Sequence, residues 1–332
     1  MKYFPKVDLH HHLEGSISPE TLLRVAEEYG GRLPTYNLEE LRARVQADGD
    51  APGFENFLNK FKVFRCFYTC REAVQDIVTA AVRDAAADSI KYLELRYSPS
   101  HFACSGRFAE TDVVAWVQDA ITRAAARYGI IVCPVLTISR DYGLELAEST
   151  VRMAAGLPQG FFYGLDIAGN EAANPALPFA DLFAMSKSAG LGLTIHAGEA
   201  GGAENVREAV DVFDADRIGH GIRAADDPDV MELLHRKDRM LEVCLTSNLQ
   251  TGAVDSIKNH PVRKLLQHGV PVSLNTDDPA ISAITLTGEY VLAIAELGFT
   301  ENDLKALNRA ALNHSFYPDK QELNEKLAHY WE

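Results

Sequence analysis

The chain has 332 residues, of which 47% are hydrophobic and 24% charged, a composition typical of a globular protein. Its 32 Lys and Arg residues against 47 Asp and Glu residues give a net charge of −15, which argues against binding nucleic acid through a basic surface. No apolar run approaches the roughly 18 residues that a membrane span requires, and residues 1–6 are not followed by the apolar segment of a signal peptide. Five scattered cysteines without a CxxC pair predict reduced thiols in a cytoplasmic protein.

Short runs rich in Val, Ile and Leu recur along the chain. Because most are apolar at both alternating positions, they predict parallel strands that are covered on both faces. The eight predicted strands span residues 6–12, 90–97, 130–138, 164–168, 193–196, 217–220, 240–245 and 270–275.

Longer helical patterns fill the gaps between these runs. Ser18, Pro19 and Glu20 predict a capped helix start with proline in the first turn, and this helix runs to about Gly30. Further helices are predicted at residues 71–89, 111–128, 179–189, 204–212, 229–236 and 261–268. Each parallel neighbour needs a crossover that a helix supplies, so the alternation predicts an α/β fold, a (β/α)8 barrel.

We predict one domain that spans residues 1–332. Two segments of this domain are additional to the eight strand–helix units. Residues 33–68 are predicted to form a helical insertion after the first strand, and residues 300–332 add helices after the eighth unit. The insertion carries six aromatic residues, Phe54, Phe57, Phe61, Phe64, Phe67 and Tyr68. Core packing of an added helix pair is the favoured interpretation, and an apolar lid over a pocket at the strand ends is the alternative.

Three consecutive histidines end the first predicted strand. Alternate side chains of a strand share a face, so His10 and His12 project together while His11 faces the other way. Buried imidazoles are costly unless something binds them. His10 and His12 therefore predict half of a metal site, and His11 is expected to pack or to support its neighbours.

Titratable side chains also follow other predicted strands, at the edge where barrel enzymes place catalytic residues. They are His196 and Glu199 at the fifth strand, His220 at the sixth and the pair Asp277 and Asp278 at the eighth. A catalytic zinc site takes three or four nitrogen and oxygen ligands plus a water, and zinc suits this set best, with iron, cobalt or manganese compatible. His10, His12, His196 and one of the two aspartates meet that count, and the other aspartate can accept a hydrogen bond from the metal-bound water.

Two further residues fit catalytic roles around such a metal. Glu199 lies where a proton-shuttling carboxylic acid would be needed. The metal makes a hydroxide nucleophile available at neutral pH by lowering the pKa of its bound water, and His220, between two glycines, could orient or deprotonate that water. Cys244 is predicted to be core rather than a nucleophile, and six histidines receive no predicted function: His101, His235, His260, His268, His314 and His329.

These motifs, in this order, resemble the adenosine deaminase family of the amidohydrolase superfamily over almost the whole chain. They are His10-x-His12, His196-Ala-Gly-Glu199, Arg217-Ile-Gly-His220-Gly, Thr246-Ser-Asn248 and Asn275-Thr-Asp277-Asp278-Pro. The resemblance implies hydrolytic deamination of adenosine and 2′-deoxyadenosine to inosine, 2′-deoxyinosine and ammonia. It implies one zinc ion, held by His10, His12, His196 and Asp277.

The same resemblance implies the remaining roles at the site. Glu199 would protonate purine N1, while His220 and Asp278 position the zinc hydroxide that attacks C6. The implied substrate contacts are His12, Glu14, Gly169 and Asp278, with the Gly169 backbone meeting the purine and Glu14 reaching the ribose 5′ end. The partner is thus a purine nucleoside, and the sequence does not predict the oligomeric state.

Departures from the family pattern leave the substrate open. Glu14 stands where the family usually has aspartate, and Asn170 where an acidic residue is frequent. The longer Glu14 leaves room for a 5′-modified adenine nucleoside. Residues 246–252 resemble the nucleoside enzymes more than the free-adenine deaminases, so free adenine is the weaker alternative.

Other classes of protein fit less well. A binuclear hydrolase of this superfamily would use a lysine after the fourth strand, and residues 166–171 contain none. A cytidine-deaminase-type site would need H-x-E and P-C-x-x-C motifs, which the chain lacks. A non-catalytic metal-binding or purine-binding barrel remains the alternative from another class, although such a protein would not need Glu199, His220 and Asp278 together.

Overall fold

A closed parallel sheet is the centre of the molecule. The computed structural model describes residues 1–64, 67–104 and 106–331, and in these residues eight parallel strands pair in chain order. The strands are β1 (Lys6–His12), β2 (Ile90–Tyr97), β3 (Ile131–Ser139), β4 (Gly164–Ala168), β5 (Gly192–Ala197), β6 (Arg217–His220), β7 (Met240–Val243) and β8 (Val272–Leu274). The predicted (β/α)8 barrel is confirmed.

The predicted strand ends differ by up to two residues from those observed. The seventh strand was predicted over residues 240–245 but ends at Val243, because Leu245 already begins a short helix. The predicted eighth strand, 270–275, contracts to Val272–Leu274, and beyond it the Asn275 side chain accepts a hydrogen bond from the backbone of Leu9.

The barrel closes between its first and last strands at Asp277. This residue forms an isolated parallel bridge with His11. Its backbone N–H donates to the carbonyl of His10, and its carbonyl accepts from the N–H of His12, both at 2.8 Å. Closure of the sheet therefore brings the ends of β1 and β8 together at residues that the sequence selects as metal ligands.

Helices form the outer layer. Within the described ranges they are α1 (Pro19–Tyr29), α2 (Leu38–Val45), α3 (Phe54–Lys60), α4 (Arg71–Ala87), α5 (Pro99–Ala103), α6 (Glu110–Tyr128), α7 (Leu144–Ala155), α8 (Ala180–Ser188), α9 (Ala203–Asp211), α10 (Pro228–Lys237), α11 (Leu245–Gln250), α12 (Val262–Gln267), α13 (Leu286–Leu297), α14 (Glu301–His314) and α15 (Lys320–Leu327). Helix α1 starts as predicted, with the Ser18 hydroxyl capping the N–H of Thr21, and it ends at Gly30 in the left-handed conformation.

Four helices were not predicted: α5, α7, α11 and α13. Helix α7 follows Gly143, which offers no side-chain cap, so its start carries no signal. Helix α13 is apolar at most positions, which hides the periodicity that marks an amphipathic helix. None of the helices in the described residues is long and apolar enough to cross a membrane.

The aromatic residues of the insertion divide between the two interpretations. Phe64, Phe67 and Tyr68 are buried in the hydrophobic core, as the packing interpretation expects. Phe54 and Phe61 instead line a cavity at the carboxyl ends of the strands, as the lid interpretation expects, and Phe57 belongs to the core and lines this cavity as well. Residues 65 and 66 of the predicted insertion, including Cys66, lie outside the described residues.

The C-terminal helices pack at the amino ends of the strands. As predicted, α14 and α15 follow the eighth unit. The buried Trp331 donates its indole N–H to the carbonyl of Pro5, 3.0 Å away, just before β1. The chain therefore covers one end of the barrel with its own terminus, while the other end carries the polar residues described next.

Candidate active site

Four predicted ligands converge at the carboxyl end of the barrel. One donor atom each from His10, His12, His196 and Asp277 lies within 4.8 Å of the other three, and all four residues are buried. The Nε2 atoms of His12 and His196 are 3.4 Å apart, and Oδ1 of Asp277 is 3.1 Å from Nε2 of His10 and 3.4 Å from Nε2 of His12. Ligands at about 2.1 Å from a tetrahedral centre are separated by about 3.4 Å, so these atoms fit around one metal ion.

Carboxylates inside the barrel orient two of these imidazoles. Glu242 lies 2.8 Å from Nδ1 of His10, and Asp166 lies 2.8 Å from Nδ1 of His196. Each carboxylate accepts the Nδ1 proton and thereby leaves Nε2 facing the common centre, the usual support of a metal-binding histidine. His11 points away from this group, with Nδ1 2.8 Å from the Thr276 hydroxyl.

The electrostatics of the four-residue group suit a cation. Burial alone would lower the pKa of His10, but Asp277 and Glu242 outweigh it and raise this pKa to about 9. Burial alone would likewise raise the pKa of Asp277, yet the neighbouring imidazoles hold it well below its ordinary value. A divalent metal would compete with the proton that His10 holds beside Asp277, while burial lowers the pKa of His12 well below its ordinary value and leaves that imidazole neutral, the form that binds a metal.

The backbone at this end of the barrel is held in uncommon conformations. Asp277 and His220 both have positive φ, 63° and 59°, in a region that residues other than glycine rarely occupy. A side chain at Gly15 would place its Cβ 1.8 Å from Oδ1 of Asp278, so only glycine fits there. Asp277, Asp278 and His220, which these constraints hold in place, all line the same cavity.

Two buried carboxyl groups near the four-residue group favour their protonated forms. Burial, with Asp277 nearby, raises the pKa of Glu199 to about 8. The Thr251 hydroxyl lies 2.9 Å from Oε1 of this residue and contacts the Ser247 carbonyl as well. Burial and the adjacent Asp277 raise the pKa of Asp278 well above its ordinary value. The protein thus holds an acid, Glu199, within the same cavity as the predicted metal site.

His220 is neutral and its tautomer follows from its neighbour. Burial lowers its pKa well below the ordinary value. The Asn248 amide nitrogen lies 3.1 Å from Nδ1 of His220, while the amide oxygen lies 3.3 Å from Nε2 of His260. With the amide donating to Nδ1, the imidazole proton resides on Nε2, which is 3.4 Å from Oε2 of Glu199. His220 is therefore arranged to donate a hydrogen bond into the site.

Reversing the polarity of that amide tests the tautomer. In Asn248→Asp the carboxylate accepts from Nδ1, so the proton leaves Nε2 and the hydrogen bond into the site is lost. We expect kcat to fall about 10²-fold, because a correctly placed acid–base group typically contributes at least about that factor to the rate. Asn248→Ala removes the contact without reversing it and is expected to lose less activity. Equal losses in steady-state kinetics would contradict the assigned tautomer.

Glu171 fixes the loop that carries Glu199. Its carboxylate accepts the backbone N–H groups of Gly198 at 2.9 Å and Glu199 at 2.7 Å, and the Asn205 amide at 2.8 Å. A negatively charged group with three donors holds a backbone firmly. The acidic residue that follows Asn170 therefore positions the predicted acid.

The site opens into a cavity of about 280 Å³. Glu199, His220 and Asp278 lie in its wall, and so do Gly169 and Glu14, so every predicted substrate contact reaches the same space. Phe54, Phe57, Leu58 and Phe61 supply apolar surface. A mainly apolar cavity with a few fixed polar groups suits a small heterocyclic molecule.

Glu14 marks a second polar region of this cavity. Its Oε1 accepts the backbone N–H of Ser98 at 2.7 Å, whereas the buried Oε2 has no hydrogen-bond partner in the part of the chain that the structure describes. Burial raises the pKa of this carboxyl to about 7. Glu14 can therefore offer either an acceptor or a donor to a ligand.

Several residues of the site were missed by sequence reasoning. His101 was given no function, yet it lines the cavity after β2, and its place just past a strand end was the available signal. Glu242 and Asp166 lie within otherwise apolar strands. A charged residue in such a strand was the available signal for both. Cys244 directly follows β7 and is buried as predicted, and burial raises the pKa of its thiol well above the ordinary value.

A larger cavity, of about 930 Å³, lies at the opposite end of the barrel. It is bordered by residues at the start of β5 and by the segment after α14, including Gly192, His314 and Phe316. It contains none of the predicted site residues. The volume of a cavity therefore does not identify the active site of this protein, because the predicted catalytic residues line the smaller cavity.

A parallel barrel with these side chains at its carboxyl edge defines a metal-dependent hydrolase of the amidohydrolase type. The chain belongs to the adenosine deaminase family, whose sequence model matches residues 5–330. It is 36% identical to the adenosine deaminase of Vibrio parahaemolyticus over 98% of each chain. The solved adenine deaminase of Arthrobacter aurescens superposes with a TM-score of 0.88 at 28% identity, covering 98% of each chain. An N6-mAMP deaminase from Arabidopsis superposes with a TM-score of 0.87 at 27% identity, covering 99% of this chain and 98% of that one.

Proposed function

We propose that this chain is a zinc-dependent enzyme that hydrolyses adenosine and 2′-deoxyadenosine to inosine, 2′-deoxyinosine and ammonia. The observation that carries the proposal is the position of Glu199, a carboxyl whose pKa burial raises, in the wall of a mainly apolar cavity that His12, His196 and Asp277 also line. Hydrolysis at purine C6 needs a nucleophile on one side and a proton for N1 on the other, and this arrangement supplies both.

The proposed metal ligands are His10, His12, His196 and Asp277. Three imidazoles and one carboxylate are a donor set that suits zinc in a catalytic site that keeps one position for water. When bound, zinc lowers the pKa of a coordinated water molecule toward neutrality. Metal analysis of the purified chain, with reconstitution of the stripped protein by zinc, cobalt, iron and manganese, tests this choice.

The protein residues complete the reaction. Glu199 donates its proton to N1 as C6 loses its aromatic character, and the Gly169 backbone and His12 hold the purine. His220 donates a hydrogen bond to the attacking water. Asp278, in the ionised form that a neighbouring divalent cation favours, takes up one proton of that water, so that its lone pair faces C6. Asp278 then passes this proton to the amino group, which leaves as ammonia, and the new C6 hydroxyl returns its proton to Glu199 as the carbonyl forms.

The decisive assay is the loss of the adenosine ultraviolet band in the presence of protein and zinc. We expect conversion of adenosine and 2′-deoxyadenosine, no conversion after chelation, and recovery on adding zinc. Zinc-replete protein without turnover of any adenine nucleoside or of adenine would leave the non-catalytic barrel as the better description.

Glu14 favours a second candidate substrate class, adenine nucleosides modified at the 5′ position. The Glu14 side chain lines the cavity, and its Oε2, which has no partner among the described residues, can pair with a 5′ hydroxyl or another hydrogen-bonding group, whereas the ionised carboxylate would repel a phosphate. A screen of adenosine, 5′-deoxyadenosine, 5′-thio analogues, AMP and adenine separates these classes. The proposal predicts that nucleosides are converted and that AMP is not.

Removing the Glu14 carboxyl tests the contact directly. Glu14→Ala is expected to raise the KM for adenosine about tenfold, the value of one hydrogen bond of about 1.4 kcal/mol. For 5′-deoxyadenosine, which lacks the hydroxyl, the same change is expected to leave KM within a factor of about two. If both substrates lost affinity equally, Glu14 would not recognise the 5′ position.

A further inference from the structure

The C-terminal segment reaches into the amino end of the barrel and contacts a buried arginine. The guanidinium carbon of Arg217 lies 3.6 Å from the centre of the Phe316 ring. The same guanidinium donates to the carbonyl of His314 at 2.8 Å. The segment 314–316 therefore contacts the guanidinium of Arg217 through the face of the Phe316 ring and through the carbonyl oxygen of His314.

Two glycines make room for that ring. A Cβ at Gly164 or Gly192 would lie 2.4 Å or 2.2 Å from ring carbons of Phe316. The Phe316 N–H also donates to Oε1 of Glu94 at 2.6 Å, and Glu94 in turn pairs with Arg217. The ring thus occupies one fixed place between the floor of the barrel and the guanidinium.

From Arg217 a line of charge-assisted hydrogen bonds runs up the inside of the barrel. Its Nε donates to Oε1 of Glu242 at 2.6 Å. The other oxygen, Oε2, contacts Nδ1 of His10 at 2.8 Å, and Arg96 donates to it at 2.8 Å as well. Arg217, Glu242 and His10 are all fully buried, so each bond acts in a low-dielectric interior without competition from water.

We propose that Phe316 and Arg217 are positioning residues that fix the imidazole of His10 through Glu242, and so couple the C-terminal segment to the metal centre. The proposal rests on His10 being a metal ligand, as proposed above. The carboxylate that orients His10 accepts hydrogen bonds from Arg217 and the Thr194 hydroxyl at Oε1, and it contacts Arg96 and His10 at Oε2. Within the described residues Arg217 is the one charged donor to Oε1, so a displaced guanidinium leaves that oxygen with the Thr194 hydroxyl, and the carboxylate turns and changes the direction of Nε2 of His10.

The test measures metal binding rather than turnover. Phe316→Leu keeps an apolar side chain but removes the ring face under the guanidinium. Arg217→Lys keeps the charge but cannot bond Glu94 and Glu242 at once. In both variants we expect the zinc dissociation constant, measured by chelator competition, to rise about tenfold. Loss of the hydrogen-bond partner that orients a metal-binding histidine typically weakens metal affinity by about that factor.

A matched control separates positioning from packing. Phe183 is buried whereas Phe316 is half-buried, so Phe183 is the more severe test of packing, and it packs against Phe213 in the outer layer. Phe183→Leu makes the same change in volume and should leave zinc affinity within twofold of the wild type. With cobalt in place of zinc, the visible absorption bands of Phe316→Leu and Arg217→Lys should shift, while those of Phe183→Leu match the wild type.

The outcomes separate this inference from the proposed function. A wild-type chain that binds no zinc would refute the ligand assignment and with it the proposed function. A wild type that binds zinc, with Phe316→Leu and Arg217→Lys matching it or matching the Phe183→Leu control in affinity and cobalt spectrum, would refute the positioning role alone. If one variant does not fold, the other decides by the same criteria.

Discussion

Glu199→Gln is expected to lower kcat for adenosine by about 10³-fold while the zinc content stays at one ion per chain. The amide keeps the shape of the side chain but cannot deliver a proton to N1, and general acid catalysis contributes about 10²–10⁴-fold to such a step. Glu199 is not among the four converging ligands, so its replacement leaves the donor set intact. The measurement is a steady-state rate together with metal analysis of the same sample.

A matched control and a pH profile sharpen this prediction. Glu204→Gln makes the same substitution at an exposed position of α9 and should retain wild-type kinetics. In the wild type, kcat/KM should fall as pH rises through the pKa of Glu199, because the required proton is lost. Burial raises this pKa to about 8, and a divalent cation nearby moves it down again. A Glu199→Gln variant that kept near-normal rates would remove this residue as the proton donor.

The barrel and the three converging histidines were accessible from sequence because each carries a local signal, whereas the choice of Asp277 over Asp278 came from the family resemblance. Parallel strands covered on both faces are apolar at successive positions, as in residues 164–168, and polar side chains after them gather at one edge. His10 and His12 share a face by the two-residue period of a strand, and His196 and Asp277 follow other strands.

The groups that hold the ligands in place were not accessible in this way. Glu242 belongs to β7 and Asp166 to β4, yet their partners His10 and His196 are on β1 and β5. Such pairs depend on which side chains meet across the inside of a closed barrel. That meeting is set by strand tilt and register, for which a single sequence carries no local pattern.

The insertion shows a second limit. Phe61 lines the cavity, Phe64 and Phe67 are core, and Phe57 is buried in the core and lines the cavity as well, although all four are the same residue type within one short stretch. Burial of an aromatic ring is favourable against either surface. Which surface a given ring contacts depends on how α3 packs over the edge of the barrel. The amino-acid composition does not predict that packing.

The second large effect is expected on metal binding. Asp277→Asn replaces the one anionic ligand of the proposed set by a neutral group of the same shape. Zinc affinity should fall by at least about 10²-fold, and activity should be lost at ordinary zinc concentrations. The backbone bridge between Asp277 and β1 does not involve the side chain, so the barrel should still close.

Thermal unfolding distinguishes loss of a ligand from loss of the fold. A metal that binds only the folded state stabilises it by about 2.7 kcal/mol at a hundredfold excess over its dissociation constant, so chelation should lower the wild-type Tm by several degrees. Since Asp277→Asn binds little zinc, its Tm should hardly change on chelation. Ser247 donates to Oδ2 of Asp277 at 2.6 Å, so Ser247→Ala disturbs the same carboxylate without removing it and should retain most of the zinc-dependent shift. A Tm that responds to chelation equally in wild type and Asp277→Asn would show that Asp277 is not a ligand, and the four-residue site would have to be reassigned.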